Sequence, residues 1–250
     1  MTARIVVLAK QVPDPETPPS QFKIDESTKN VIPPSGVPPV VNGFDLNAVE
    51  AALQLRDVGE DVEITVLSVG TDFVMDAMKK PLAMGADRLV LVDDPSLDGI
   101  DSTATVKVLA AAIEKDGPFD LILGGRQASD WDQAHVTLGL AEVLGLPLVS
   151  LVQKLEINGD SVALQRVIPD GYQVITAPVP SVLTITNELG EPRYPNLRGI
   201  MQASRKKPET LSLADLGLSN DDLAPKLKLK KLYVPESNRQ VELIEGEDEA

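Results

Sequence analysis

Hydrogen-bonding side chains are most concentrated in residues 124–136, which read GGRQASDWDQAHV. This stretch follows an apolar run and precedes a helical pattern. Amides, a hydroxyl and carboxylates just before a helix, whose first N–H groups lack helical partners, are typical of a loop that holds a phosphate. Residues 8–10 and 68–72 also follow apolar runs and are expected at the same edge of a parallel sheet. The sequence therefore predicts a nucleotide site.

The same stretch offers no catalytic machinery. His135 and Asp132 could form a hydrolytic pair, but no Gly-x-Ser-x-Gly elbow or other activated nucleophile accompanies them. The phosphate-loop patterns Gly-x-x-x-x-Gly-Lys-Ser/Thr and Gly-x-Gly-x-x-Gly are also missing. With no cysteine and a single histidine, the chain has no thiolate nucleophile, disulfide or plausible zinc site. We expect neither a catalytic residue nor a metal.

Composition narrows the class of protein. The chain has 250 residues, 43% of them hydrophobic, which is enough for a sizeable core. Its net charge of −15 argues against a nucleic-acid partner, because neutralising phosphates requires a basic surface. The apolar run near the N-terminus is only five residues long, too short for a signal core or a membrane span. We expect a cytoplasmic protein without membrane insertion.

Apolar strand patterns alternate with helical patterns over the first 144 residues. Strands are expected at 5–9, 62–68, 88–92 and 121–125, and helices at 45–58, 72–84, 102–115 and 132–144. This alternation predicts a parallel sheet covered by helices. Asp45 and Asp101 are expected as helix N-caps, with helix ends at Gly85 and Gly117. Gly70, in a turn after a strand, is expected at positive φ.

Three segments depart from this alternation. Residues 11–43 form a long proline-rich insertion after the first strand, and loops of that length are usually functional or disordered. After Pro147 the pattern changes to short strands with a hairpin signal at residues 158–160, which predicts an antiparallel extension. The C-terminal residues alternate around Leu227 and Leu229 without a partner run, so they form either a disordered tail or an arm completed on another chain.

Residues 187–208, NELGEPRYPNLRGIMQASRKKP, closely resemble the signature of the small (beta) subunit of electron-transfer flavoproteins. The resemblance extends to VLAKQVPD at the first strand, to NGFDLNAVEAALQL and to AMGADRLVLV. It therefore spans nearly the whole chain. The stretch 124–136 is similar to the family's nucleotide-phosphate loop, Gly-x-Gln-Ala-x-Asp-x-Asp.

The resemblance implies an adenine-nucleotide α-hydrolase-like (Rossmann-like) α/β fold without enzymatic activity. The implied partner is a larger alpha subunit whose mobile domain carries the redox-active FAD. Electrons would pass from flavin-dependent dehydrogenases, such as acyl-CoA dehydrogenases, to a downstream quinone reductase or ferredoxin-type acceptor. Residues 1–208 are expected to form the nucleotide-binding domain, with a partner-recognition loop near 191–201, and residues 209–250 an arm that contacts the alpha subunit.

The resemblance also assigns residues to two sites. The nucleotide would be surrounded by Ala9, Lys10, Asn42, Val69, Gly70, Gly125, Gln127, Asp130, Asp132, Gln133, Ala134, His135 and Val136. Partner docking would use Tyr194, Leu197, Arg198, Ile200 and Met201, with a basic edge formed by Arg198, Arg205, Lys206 and Lys207. Leu197 would be the central anchor of that docking site.

The nucleotide is expected to be AMP, with a second FAD as the alternative. Bifurcating members of the family read Asp-Gly-Asp-Thr-Ala-Gln-Val, and this chain keeps Ala134 and Val136 but has Trp131 and His135 instead of glycine and glutamine. A tryptophan near the pyrophosphate path could block an extended dinucleotide, or it could face the core. An ATP-using adenylating enzyme and a nucleotide-sensing module of the same fold are the rival functions.

Overall fold

The computed structural model describes residues 2–235, which are built around one nine-stranded sheet. The strands are β1 (Ala3–Leu8), β2 (Gln11–Val12), β3 (Lys23–Asp25), β4 (Asn30–Ile32), β5 (Val40–Val41), β6 (Val62–Gly70), β7 (Arg88–Asp93), β8 (Leu121–Gly125), β9 (Leu148–Asn158), β10 (Ser161–Ile168), β11 (Gly171–Pro178), β12 (Ser181–Ile185) and β13 (Glu209–Leu211). The helices are α1 (Gly43–Asp57), α2 (Met75–Met78), α3 (Lys80–Met84), α4 (Ser102–Asp116), α5 (His135–Leu144) and α6 (Leu197–Arg205). Short 3₁₀ turns lie at Pro95–Leu97, Asn187–Leu189, Ala214–Leu216 and Asn220–Leu223.

The sheet is parallel except at one edge, which confirms the predicted α/β class. Its order is β11-β10-β9-β12-β8-β1-β6-β7-β13, and only the β9–β10 and β10–β11 pairs are antiparallel. Core residues on successive positions of β1 alternate between the two faces. Ile5 and Val7 belong to the apolar layer that also contains α1, whereas Val6 belongs to the layer that contains α4. Both faces of the sheet are therefore covered by helices.

β12 corrects the predicted antiparallel extension. The prediction placed all the short strands after Pro147 in that extension, but the structure divides residues 171–185 into β11 and β12, and β12 is not antiparallel. β12 returns to the centre of the sheet and runs parallel to both β8 and β9. All five of its residues are buried, as in a central parallel strand, whereas β11 lies at the edge and is mostly exposed.

Three helix boundaries differ from the prediction. α1 begins at Gly43 after Asn42, so Asp45 is not its N-cap but the third residue of the helix. The helix expected at 72–84 is divided into α2 and α3, because Pro81 cannot donate a helical hydrogen bond and its ring obstructs the preceding turn. The helix expected from Asp132 begins at His135, because Asp132 and Ala134 adopt left-handed conformations with φ of 50° and 55°. The predicted cap Asp101 is confirmed, since its carboxylate accepts a hydrogen bond from Ala104 N–H at 2.9 Å.

The proline-rich insertion is a folded excursion with a closed base. β2 pairs with β5 at the base, and β3 pairs with β4 further out. Next to the base, Asn42 N–H donates to the carbonyl of Lys10 at 2.9 Å. The insertion therefore leaves the end of β1 and returns to the start of α1 without separating them.

The chain after residue 208 continues into the sheet. β13 pairs parallel with β7, and Leu211, Leu213 and Leu223 are buried. The predicted boundary at 208/209 therefore does not coincide with a structural break. The expected strand alternation around Leu227 and Leu229 forms no strand, because residues 225–235 have no regular structure. The rest of the predicted arm, 236–250, lies outside the described residues. Among residues 2–235, no helix is long and apolar enough to cross a membrane.

Candidate nucleotide site and docking helix

The carboxyl ends of β1, β6 and β8 meet at one edge of the sheet, as predicted. β8 and β6 flank β1 on its two sides, so residues 9–10, 69–70 and 125–134 leave the sheet as neighbours. Lys10 and Asp130, two of the expected site residues, form an ion pair of 2.7 Å between Nζ and Oδ2. The fold therefore brings the sequence-predicted segments together.

Asp45 joins the ends of β1 and β8. Its Oδ2 accepts a hydrogen bond from Lys10 N–H at 2.8 Å, and its Oδ1 accepts one from Gly125 N–H at 3.0 Å. The side chain is buried, and burial raises the pKa of the Asp45 carboxyl to about 7, against the opposing effects of these N–H groups, the Asn42 side chain and the Lys10 charge. The first turn of α1 thus clamps two strands at the site edge.

The two glycines of residues 124–125 permit close helix approach. A Cβ on Gly125 would lie 2.5 Å from Asp45 Oδ1 and 2.7 Å from the Cβ of Phe44, and a Cβ on Gly124 would collide with Thr137 of α5. Neither glycine has a positive φ. Steric room for α1 and α5 explains why the strand ends in two glycines.

Asn42 shapes the loop that follows β8. Its side-chain Nδ2 donates to the carbonyl of Gln127 at 2.8 Å, and its Oδ1 accepts from Ser129 N–H at 3.2 Å. Asn42 is 1% exposed, and both ends of its amide are occupied by the loop. The predicted nucleotide-contacting residue therefore acts on the loop itself.

The rest of the loop is organised by local hydrogen bonds. Gln127 Nε2 donates to Asp132 Oδ1 at 2.8 Å, and the N–H groups of Trp131 and Asp132 donate to the carbonyl of Ala128. Ala134, in the N-cap position of α5, has no side-chain oxygen that could cap the helix. The first N–H groups of α5 are thus left for solvent or an anionic ligand.

Several loop side chains are exposed. Trp131 is 47% exposed, which rules out the interpretation that it faces the core. Asp132, Gln133 and His135 are also exposed, and Val136 is half-buried. The polar part of the predicted site therefore lies open at the sheet edge.

Val69 and Gly70 end β6 on the other side of β1, but the predicted positive φ at Gly70 is wrong. The left-handed residue of that turn is Asp72, with a φ of 52°. A Cβ on Gly70 would lie 3.3 Å from the ring of Phe73, so glycine leaves room for the aromatic side chain. Gln11 fixes the turn by accepting from Val74 N–H at 2.7 Å and donating to the carbonyl of Asp72 at 3.2 Å.

The predicted docking loop is anchored to α1 by Arg193. Its guanidinium binds Glu50 through Nε at 2.8 Å and Nη2 at 2.9 Å, and Nη2 also lies 2.6 Å from Asp57. Burial of Glu50 would raise the pKa of its carboxyl, but the hydrogen bonds and charge of Arg193 hold that pKa below the usual value. Arg193 therefore fixes the beginning of the predicted docking loop to α1.

α6 and the residues just before it present the predicted docking residues to solvent. Leu197 is 74% exposed and Tyr194 is 93% exposed, while Ile200 and Met201 are each about half exposed. Asn196 caps the helix by accepting from Gly199 N–H at 2.8 Å, and a Cβ on Gly199 would collide with the carbonyl of Ala83 in α3. Four of the five predicted docking residues thus lie on a helix packed closely against the body, and Tyr194 lies three residues before that helix.

The predicted basic edge needs one correction. The Nζ of Lys206 donates to the carbonyls of Ala86 and Asp87 at 3.1 and 2.9 Å, so this lysine holds α6 to the segment before β7. Arg198 and Arg205 instead lie along the same exposed face of α6 as Leu197, Met201 and Gln202. Arg198 and Arg205 thus form the cationic rim next to the exposed leucine, and Lys207 is exposed beyond the end of α6.

Sequence reasoning missed the anchoring roles of Asp45, Glu50 and Asp57. A signal was present in the helical segment FDLNAVEAALQLRD, where Asp45 and Glu50 lie among the apolar residues of its first two turns. Acids at positions that pattern as core are rarely buried without partners. Their partners, however, lie between 35 and 143 residues away in the chain.

Comparison with known proteins agrees with the sequence resemblance. Residues 30–216 match the model of the electron transfer flavoprotein domain. The electron transfer flavoprotein subunit beta of Megasphaera elsdenii is 38% identical, over 98% of this chain and 92% of the relative. That of Thermoanaerobacterium thermosaccharolyticum is 39% identical, over 97% of this chain and 92% of the relative. The caffeyl-CoA reductase-Etf complex subunit CarD of Acetobacterium woodii is 39% identical, over 86% of this chain and 80% of the relative.

The matches cover most of the sheet and extend to α6. Relatives with this name are electron-carrying subunits rather than enzymes, which agrees with the class of protein that the resemblance implies. The chain belongs to the electron transfer flavoprotein family, as a beta subunit.

Proposed function

We propose that this chain holds an adenine nucleotide at the carboxyl edge of its sheet and pairs with a flavin-carrying alpha subunit. The observation that carries the nucleotide proposal is the uncapped start of α5, held at that edge by a loop fastened to Asn42 and Lys10. Backbone N–H groups and the helix dipole at this point favour a phosphate. In this role the chain supports electron transfer without transforming a substrate.

The acidic side chains near α5 are compatible with a bound phosphate. The charge of Asp130 is paired with Lys10 at 2.7 Å, and Asp132 accepts a hydrogen bond from Gln127 at 2.8 Å. Both carboxylates are thus engaged in shaping the loop. The N–H groups at the start of α5 can face the ligand while the acids hold the loop around it.

AMP remains the expected nucleotide, and a second FAD is the other candidate. The AMP expectation comes from Trp131, which stands where bifurcating members have glycine. Two observations favour the second FAD: Trp131 is about half exposed instead of filling a crevice, and one relative is named as part of a caffeyl-CoA reductase complex. Ala134 and Val136 also fit the bifurcating pattern.

Nucleotide release distinguishes the candidates. The chain should be purified together with its alpha subunit, denatured, and the released nucleotides quantified by chromatography. One FAD and one AMP per heterodimer is the expected result. Release of two FAD per heterodimer would instead identify the nucleotide of this subunit as a second FAD. Release of no adenine nucleotide beyond the alpha-subunit FAD would contradict the proposed site.

Partner docking is proposed for α6 and the residues before it. An exposed leucine and tyrosine beside two arginines combine an apolar anchor with charges that steer association. The proposed partners are flavin-dependent dehydrogenases such as acyl-CoA dehydrogenases, and a quinone reductase or ferredoxin-type acceptor would receive the electrons. Turnover of ATP by the isolated chain would instead favour the adenylating rival.

A further inference from the structure

We propose that Asp45 is a positioning residue of the nucleotide site, whose carboxylate holds the ends of β1 and β8 together so that nucleotide retention depends on its negative charge. This inference rests on the proposed nucleotide site and assigns a control element to it. Asp45 lies beneath the loop, is 7% exposed, and is not one of the residues expected to contact the nucleotide.

The geometry requires both oxygens of the carboxylate. Oδ2 accepts from Lys10 N–H at 2.8 Å and Oδ1 accepts from Gly125 N–H at 3.0 Å, so each oxygen serves a different strand. A protonated carboxyl or an asparagine amide places a donor on one of the two positions. With asparagine, one backbone N–H would face another donor, and with a protonated carboxyl it would face a weaker, uncharged acceptor. In both cases the attachment of one strand end would be weakened.

A weakly attached strand end would move the nucleotide loop, because the loop is attached to the same points. Gly125 leads directly into residues 126–134, and Lys10 carries the side chain that pairs with Asp130 at 2.7 Å. Asn42, three residues before Asp45, holds the carbonyl of Gln127 at 2.8 Å. The first turn of α1 therefore connects the charge of Asp45 to the position of the phosphate-binding N–H groups.

The electrostatic surroundings allow this charge to change near neutral pH. Burial raises the pKa of the Asp45 carboxyl to about 7, while the N–H groups and the charge of Lys10 oppose the shift. Other charged groups nearby are Asp130, which is paired with Lys10, and Arg126, whose guanidinium carbon lies 5.2 Å from the centre of the Phe44 ring. Asp45 should therefore gain a proton as pH falls from 8 to 6, and nucleotide affinity should fall with it.

The test is equilibrium dialysis of labelled AMP against the full chain, purified with its alpha subunit and depleted of nucleotide, at pH 6, 7 and 8. AMP serves as the probe because its adenosine and phosphate are shared with the AMP half of FAD. Asp45→Asn should weaken binding about tenfold or more at pH 8. From pH 8 to pH 6, the AMP affinity of the wild type should fall about tenfold more than the AMP affinity of D45N. The AMP phosphate also gains a proton in this range, but this affects both proteins equally, so the difference between them reports on Asp45.

Asp120→Asn is the matched control. The Asp120 carboxylate accepts from Arg4 N–H at 2.7 Å and so links the same two strands at their opposite end. D120N should retain the AMP affinity and the pH profile of the wild type. Loss of AMP binding in D120N equal to that in D45N would show that any weakening of the strand pair suffices, and would overturn the specific role of Asp45.

The failures of the two proposals are distinguishable. Wild-type binding of AMP with an unchanged affinity and profile in D45N overturns the role of Asp45 and leaves the nucleotide site standing. Absence of adenine-nucleotide binding in the wild type, under conditions where the heterodimer is intact, overturns the site itself. If D45N does not fold, the wild type is tested with adenosine 5′-sulfate instead of AMP, because the sulfate group does not titrate in this pH range. A tenfold fall in the affinity for this probe from pH 8 to pH 6 supports the role of Asp45. An affinity that does not change with pH overturns it.

Discussion

Single residues set how closely the helices approach the site edge. Gly125 lies against the first turn of α1, and the space that its missing Cβ leaves is filled by Asp45 and Phe44. Gly43, at the first position of the same helix, has open space around it. These two glycines are both near the site, but only Gly125 is required by a close contact.

Gly125→Ala should destabilise the fold by about 2 kcal/mol and release the nucleotide, because a Cβ would push α1 away from β8 and break the Asp45 hydrogen bond. Thermal unfolding and nucleotide content of the purified complex measure the two effects. Gly43→Ala is the control and should leave both unchanged. Equal nucleotide content in G125A and wild type would contradict the steric argument.

The residue-level errors of the sequence analysis have a common cause. Asp45 was expected as an N-cap because an acid just before an apolar helix usually caps it. The true start lies two residues earlier at Gly43, and Asp45 instead binds strands far away in sequence. Such pairings depend on tertiary approach, which local patterns do not contain, whereas the local capping bond between Asp101 and Ala104 was predicted correctly.

At the level of elements, α6 is a short helix presented by fixed supports. Arg193 is bound to α1, Gly199 allows contact with α3, and Lys206 ties the end of the helix to the carbonyls of Ala86 and Asp87. Of its nine residues only Ala203 is buried. α6 thus buries little apolar surface against the body, and the side chain of Leu197 remains exposed to solvent.

Leu197→Ala should leave stability within about 0.5 kcal/mol of the wild type, because Leu197 is 74% exposed. It should raise the apparent KM for a partner dehydrogenase, since an apolar anchor commonly contributes about 2 kcal/mol or more to binding. Steady-state electron transfer and thermal unfolding measure these outcomes. Val58→Ala, at a valine that is 77% exposed outside the docking loop, is the matched control. Earlier melting with normal electron transfer would place Leu197 in the fold instead.

The order of elements could be predicted further than their pairing. The βα alternation predicted the four neighbouring strands β8, β1, β6 and β7, because apolar runs and helical periodicity are local properties. β12 was not predicted as a separate parallel strand, because a continuous apolar run has no periodicity that marks where one strand ends and the next begins. α2 and α3 were expected as one helix because their apolar pattern continues across Lys79.

At the level of the whole molecule, the C-terminal region has two parts with different attachments. Residues 209–223 belong to the body through β13 and buried leucines. Beyond them, Lys226 and Leu227 donate backbone hydrogen bonds to Asp101 Oδ2 at 2.6 and 2.8 Å, while Leu227, Leu229 and Tyr233 are exposed. The apolar side chains of this second part are free to meet another chain.

Ending the chain after Ala224 should weaken association with the alpha subunit and leave the body folded. This end point keeps the buried Leu223 and removes the exposed apolar residues that we propose to contact the partner. Sedimentation analysis of the mixed subunits measures association, and thermal unfolding of the shortened chain controls for damage to the body. Unchanged association would show that the arm contributes nothing to the heterodimer.

Because the base of the proline-rich insertion is closed, the length of the insertion does not determine the structure of the nucleotide site. The β2–β5 pair and the hydrogen bond between Asn42 and Lys10 fix the two ends, so lengthening the outer part would add only a slowly growing loop-closure entropy. Natural variants could therefore lengthen or replace the outer part without disturbing the nucleotide loop. For protein engineering, the exposed turn between β3 and β4 is accordingly a suitable point to graft an affinity tag or a fluorescent reporter.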